Sequence, residues 1–125
     1  MQYSNINQLA RDNNNFRKVL FTNKNSQVVL MSIEPGDDIG TEVHEHNDQI
    51  LYFVEGEGKA VVNGEEHVIH PGDVVDVPAG SEHNFINTGE TALKIFTVYA
   101  PPEHEDGTVH ETKAAAMIAE GEEKN

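Results

Sequence analysis

His44 and His46 stand two residues apart in the stretch Gly40-Thr41-Glu42-Val43-His44-Glu45-His46-Asn47-Asp48-Gln49, and two imidazoles at that spacing are suited above all to binding a divalent metal ion. In an extended chain the side chains at i and i+2 leave the same face, so both rings can converge on one ion. Two imidazoles make half a site, and surface histidines at this spacing also occur with no metal at all. Further donors decide the matter.

Composition limits what those donors can be. The 125 residues include no cysteine, which excludes thiolate ligands and disulfide staples and leaves imidazole, carboxylate, amide or water oxygen. Formal net charge is −14, with 22 acidic against eight basic residues. Phosphate backbones and anionic bilayers are repelled by such a chain, so neither nucleic acid nor a membrane is expected as a partner. No apolar run approaches the roughly 20 residues of a membrane span, and the polar start Met1-Gln2-Tyr3-Ser4-Asn5 does not read as a signal peptide. A cytoplasmic protein with one buried core is the expectation.

The elements that must position the histidines read as short strands. Residues 1–15 form an N-terminal arm whose Asn13-Asn14-Asn15 run suits a loop, and Arg11, Arg17, Lys18 and Lys24 read as a solvated basic face. Phe16 to Thr22 and Ser26 to Glu34 form a hairpin by composition, Thr41 to His46 and Gln49 to Glu55 extend, and Asn63-Gly64 is a two-residue hairpin turn. Further strands run over Asp73 to Val77, His83 to Asn87 and Ala92 to Ala100, between glycine and proline turns. About nine short strands with frequent turns argue for an all-β antiparallel sandwich or barrel over residues 16–100. The tail, residues 101–125, begins with Pro101-Pro102 and contains a short helix over Thr112 to Glu120 with Thr112 as N-cap, fraying from Gly121.

These residues resemble the two signatures of the cupin superfamily. The first asks for a glycine, five residues, His-x-His, three or four residues, a glutamate, six residues and a glycine. Here Gly36 or Gly40 stands before the histidines at altered spacing, His44 and His46 supply the pair, and Gly56 closes the motif. Counting back from Gly56 puts Gln49 at the carboxylate position, after a gap of only two residues from His46. The second signature is matched position for position by Gly72, Pro78, Gly80, His83 and Asn87. The chain looks most like small single-domain microbial cupins labelled mannose-6-phosphate-isomerase-like. The resemblance implies a double-stranded β-helix, a jelly-roll barrel, with His44, His46, Gln49 and His83 holding one divalent transition metal: zinc, iron, manganese, nickel or copper.

Gln49 in place of a carboxylate has consequences. Three imidazoles and an amide oxygen leave the ion its full charge, making it a stronger Lewis acid and a less tightly held one. Asp48 is the alternative fourth ligand, but consecutive strand residues face opposite ways, which favours Gln49. His67 and His70 read as exposed, and His104 and His110 lie in a tail that could cross the barrel mouth. Leu51, Phe53 and Phe85 read as core. Tyr52 has the wrong parity for the interior, and Asp76 is a loose candidate for an ionisable group beside the metal.

Charge bears on the substrate. From Glu34 to Glu111 there are 18 acidic residues against Lys59 and Lys94, a field that attracts cations and repels a sugar phosphate. With no local arginine to receive a phosphoryl group, a small, oxygenated, non-phosphorylated molecule is the expected substrate or ligand. Two classes of function fit: a Lewis-acid enzyme of isomerase, lyase or oxygenase type, and a binding module that holds metal and ligand without turnover. A barrel with a vestigial site is the third. Exposed sheet edges and the resemblance point to a homodimer.

Overall fold

The computed structural model describes residues 1–124, with the side chains of residues 1–121. Ten strands and two helices follow in the order α1 (Ile6–Asp12), β1 (Arg17–Thr22), β2 (Gln27–Ile33), β3 (Glu42–Val43), β4 (Asp48–Glu55), β5 (Gly58–Val62), β6 (Glu65–Ile69), β7 (Val74–Val77), β8 (Glu82–Asn87), β9 (Leu93–Ala100), β10 (Val109–His110) and α2 (Lys113–Lys124). The strands form two antiparallel sheets, one ordered β10-β1-β2-β9-β4-β7 and the other β3-β8-β5-β6. This is the expected jelly roll.

Alternation along the strands builds the core between the sheets. On β4, Gln49, Leu51 and Phe53 point inward while Ile50 is exposed, and Phe53 meets Phe85 of β8 across the barrel with ring centroids 5.7 Å apart. The Asn63-Gly64 turn closes the β5–β6 hairpin with positive φ at both residues, 48° and 82°, the geometry a two-residue turn requires. Asn87 fastens the end of β8 by donating its amide to the carbonyls of Ile33 and Thr91.

The arm contains a helix that the asparagine-rich sequence hides. Asn5 caps α1 by accepting from the Gln8 amide, and Ala10 is buried with Leu30 and Val54, flanked by Ile6, Leu9, Tyr52 and Phe96. Helix formation here follows from packing an apolar stripe onto the outer face of the sheet rather than from propensity. The tail also joins the body. β10 pairs with β1, Thr112 caps α2 by accepting from the Ala115 amide, and Lys113 pairs with Asp37 and Asp38. Gly121 lies within α2, which continues past the expected end. Among the described residues no helix is long and apolar enough to cross a membrane.

Candidate metal centre

The short strand β3 and the strand β8 pair so that Glu42 stands directly opposite His83. His44 follows Glu42 by two residues and returns to the same face. The result is a group of three donors, Glu42, His44 and His83, whose ligand atoms all lie within 4.8 Å of one another. Among the described residues it is the one such group of three His, Asp or Glu side chains. It opens into a pocket of about 360 Å³ lined by Thr41, Glu42, Val43 and His44 on one side and Glu103, His104 and Glu120 of the tail on the other. A larger groove of about 640 Å³ runs between β6 and β7, but shares no residue with this group.

Each imidazole is aimed by a second contact. His83 is buried, and its Nδ1–H donates to the Ser81 carbonyl at 2.9 Å, which leaves the Nε2 lone pair for an ion. His44 Nε2 lies 3.0 Å from Glu42 Oε2, and its Nδ1 lies 3.5 Å from Glu103 Oε1. Burial works against a charge on His44, but the carboxylates of Glu103 and Glu42 at its two nitrogens outweigh it and lift its pKa to about 9. His83 moves the other way, lowered by burial and by the neighbouring His44 against the Ser81 contact. Burial pushes the Glu42 carboxyl upward, but its contacts to His44 and the field of Arg17 hold it below the ordinary value.

Gln49 is buried on β4. Its Nε2 donates to Thr97 Oγ1 at 3.1 Å and to the Tyr99 hydroxyl at 3.2 Å, and its Oε1 is buried with no partner among the described residues. Tyr99 in turn sets its ring edge-on to His44 and to His104, with centroids 5.6 and 5.3 Å away. A buried carbonyl oxygen without a donor calls for a ligand. The carboxylate and two imidazoles fit one divalent transition metal in chemistry and in spacing, and an amide oxygen completes a donor set of the kind such ions take.

The structure departs from the expected donor set at His46. That residue is exposed, in the bend after β3, and lies outside the group. Strand alternation holds only while the chain is in the ladder, and β3 ends at Val43, so the pair that shares a face is Glu42 and His44. Asp48 is exposed and accepts from the Ala79 amide, fastening the turn before β8. Asp76 is exposed on the far groove. Arg17, read as part of a solvated face, is instead 2 % exposed, with its field reaching Glu42 and Tyr99. An arginine is thus local to the site after all.

Spacing carried the signal that the histidine pair obscured. Counted from Gly36, five residues precede Glu42, Glu42-x-His44 stands where His-x-His is asked for, four residues lead to Gln49 and six more to Gly56. Every interval of the first signature is kept, with the carboxylate moved to the first histidine position and an amide in the carboxylate's place. One negative ligand therefore remains, and an ion held here keeps less charge than three imidazoles and an amide would leave it.

Comparison with known proteins agrees. The Cupin domain family matches residues 29–99. The chain is 48% identical over 123 residues to YrkC of Bacillus subtilis (strain 168), covering 93% of this chain and 66% of that one. It is 36% identical over 76 residues to an oxalate-binding protein of Thermotoga maritima, covering 61% of this chain and 63% of the relative. The chain thus spans about two thirds of the length of these curated relatives. The crystal structure of BH2720 from Bacillus halodurans superposes with a TM-score of 0.93 at 41% identity, covering 94% of this chain and 93% of the other. Arg17, Glu103, His104 and Glu120 all fall outside the stretch that the family model matches, so the tail side of the pocket lies beyond the barrel that defines the family, although YrkC and BH2720 align with 93% and 94% of this chain. With more than half its length matched and both signatures accounted for, the chain belongs to the cupin superfamily.

Proposed function

We propose that Glu42, His44 and His83, joined by the Gln49 oxygen, hold one divalent transition metal, and that the protein is a metal-dependent enzyme acting on a small, oxygenated, non-phosphorylated molecule. The convergence of three ligand atoms within 4.8 Å carries this reading. When bound, the ion supplies Lewis acidity to a hydroxyl or carbonyl oxygen of the substrate. The protein's part is then to exclude water, orient the substrate and move a proton. Glu103 lines the pocket, contacts His44 and is the carboxylate placed to carry that proton. His104 sits beside it, its ring nitrogen Nε2 buried without a partner among the described residues and its pKa driven down to about 3 by burial and by Arg17. It stays neutral and offers a hydrogen bond without a charge.

A binding module without turnover is the second reading, supported by the oxalate-binding relative. Metal analysis of protein purified without chelator or a metal column, followed by a turnover screen of hydroxy-carbonyl compounds, separates the two. Stoichiometric metal with turnover that Glu103→Gln abolishes supports the enzyme, and metal with saturable binding but no turnover supports the module. Absence of stoichiometric metal ends both. The open edges of β6 and β7, with Val68 and Val74 exposed, support a homodimer, which mass measurement in solution tests.

A further inference from the structure

The buried arginine has a partner whose position is informative. Arg17 NH1 donates to Glu120 Oε1 at 3.1 Å and lies 3.3 Å from His110 Nδ1. Arg17 is sealed from solvent, whereas the Glu120 side chain is 38 % exposed and lines the pocket. The Arg17 Nε–H, on another edge of the guanidinium, is buried and finds no acceptor among the described residues. A guanidinium offers five donors in a plane that matches a carboxylate, and here Glu120 takes it at one corner.

We propose that Arg17 is the carboxylate receptor of this pocket, and that Glu120 occupies it as an intramolecular stand-in which a substrate carboxylate displaces. The inference rests on the reading of the pocket as a substrate site, and it adds the substrate's chemical class: a small hydroxy- or oxo-monocarboxylate, with its carboxylate on Arg17 and its second oxygen toward Glu42, His44 and His83. Charge supports the exchange. With a divalent ion in place, the charges of Arg17, Glu42, Glu103 and Glu120 balance, so an added monoanion is accommodated by taking the place of one already there. Glu120 is the removable one. Glu42 and Glu103 both contact His44, whereas Glu120 is joined to Arg17 at one corner and its own side chain is 38 % exposed, so it can turn to solvent once another carboxylate satisfies the buried guanidinium. A dianionic phosphate would upset the same balance, and the receptor is therefore matched to a carboxylate.

The chain has two arginines, Arg11 and Arg17, so the Nε–H resonance of Arg17 can be assigned in a ¹H–¹⁵N spectrum and followed during titration. The probes are glycolate, its uncharged counterpart glycolamide, and inorganic phosphate, each added to full-length protein with and without Zn²⁺. Glycolate is expected to move the Arg17 resonance saturably, glycolamide and phosphate to leave it in place, and Glu120→Gln to lower the half-saturating glycolate concentration about tenfold, the scale of one hydrogen bond to a charged group. An Arg17 resonance that ignores glycolate, or responds equally to glycolamide or phosphate, overturns the proposal. So does an unchanged half-saturation in Glu120→Gln. Zinc content measured on the same samples keeps the two readings apart: protein that takes up no zinc yet shows the Arg17 responses loses the metal centre and keeps the receptor.

Discussion

Glu42 and His83 face each other as cross-strand partners in the β3–β8 ladder, which fixes a carboxylate and an imidazole at the separation of two paired side chains before any metal arrives. Because β8 is also paired to β5 along its length, His83 is held by the body of the barrel. Glu42 depends on a strand of two residues. The two halves of the site thus differ in stiffness, and the donors after Val43 rely on packing.

The donor set predicts which histidines matter. His83→Ala and His44→Ala are expected to abolish stoichiometric binding of a divalent transition metal, while His46→Ala and His67→Ala leave it unchanged. Elemental analysis of the four purified variants checks this. Equal loss in all four would mean that the metal binds adventitiously.

Metal uptake should be linked to pH through His44. Its pKa is raised from 6.5 to about 9, so the metal-free protein gains stability from the protonated ring that is fully present below 6.5 and lost as pH rises through about 9. A metal ion replaces that proton. Its apparent affinity should therefore climb about tenfold per pH unit between 6.5 and 9 and then level off, with about one proton released per ion at pH 7.5. Calorimetry in buffers of different ionisation enthalpy measures the proton count, and a count near zero would remove His44 from the ligands.

Restoring a carboxylate at position 49 should strengthen the site. Gln49→Glu adds a second negative ligand beside Glu42, and affinity for a divalent ion is expected to rise by about tenfold or more, since ligand charge count sets the affinity of such sites. Competition against a metal indicator reads this out. No change in affinity would show that position 49 does not reach the ion.

The closing glycine of the first signature has a steric reason. Gly56 has φ +96°, and a Cβ there would lie 2.8 Å from the Ala92 carbonyl oxygen, a backbone atom that cannot swing away. Gly56→Ala should destabilise the fold by about 1–3 kcal/mol, visible as a lower denaturant midpoint with an unchanged slope. Gly64→Ala has a strained φ of +82° but open space around it, so the smaller loss is expected there.

The parts of this molecule that could be read from the chain are those written in local spacing. The Asn63-Gly64 turn, the alternation through Leu51 and Phe53 and the run from Gly72 to Asn87 each fix their geometry within a few residues. What escaped is set by distant pairing. Glu42 is one of 22 acidic residues and only its spacing from Gly36 marks it, whereas imidazoles draw attention to His46. Arg17 and Glu120 are 103 positions apart, so no window of sequence contains both. The apolar stripe of Ile6, Leu9 and Ala10 is masked by its asparagine flanks, and only the sheet surface it covers singles it out.

The division of the pocket between the barrel that the family model matches and a tail outside that match has a consequence for how such proteins diverge. Of the candidate donors, Glu42, Gln49 and His83 lie on strands and His44 directly after one, whereas Glu103, His104 and Glu120 sit on the segment after β9 that lines the other side of the pocket. New chemistry can thus be acquired by rewriting some twenty residues at one end of the chain while the inherited cage is left untouched. Transplanting that segment between two relatives would be expected to carry ligand preference with it.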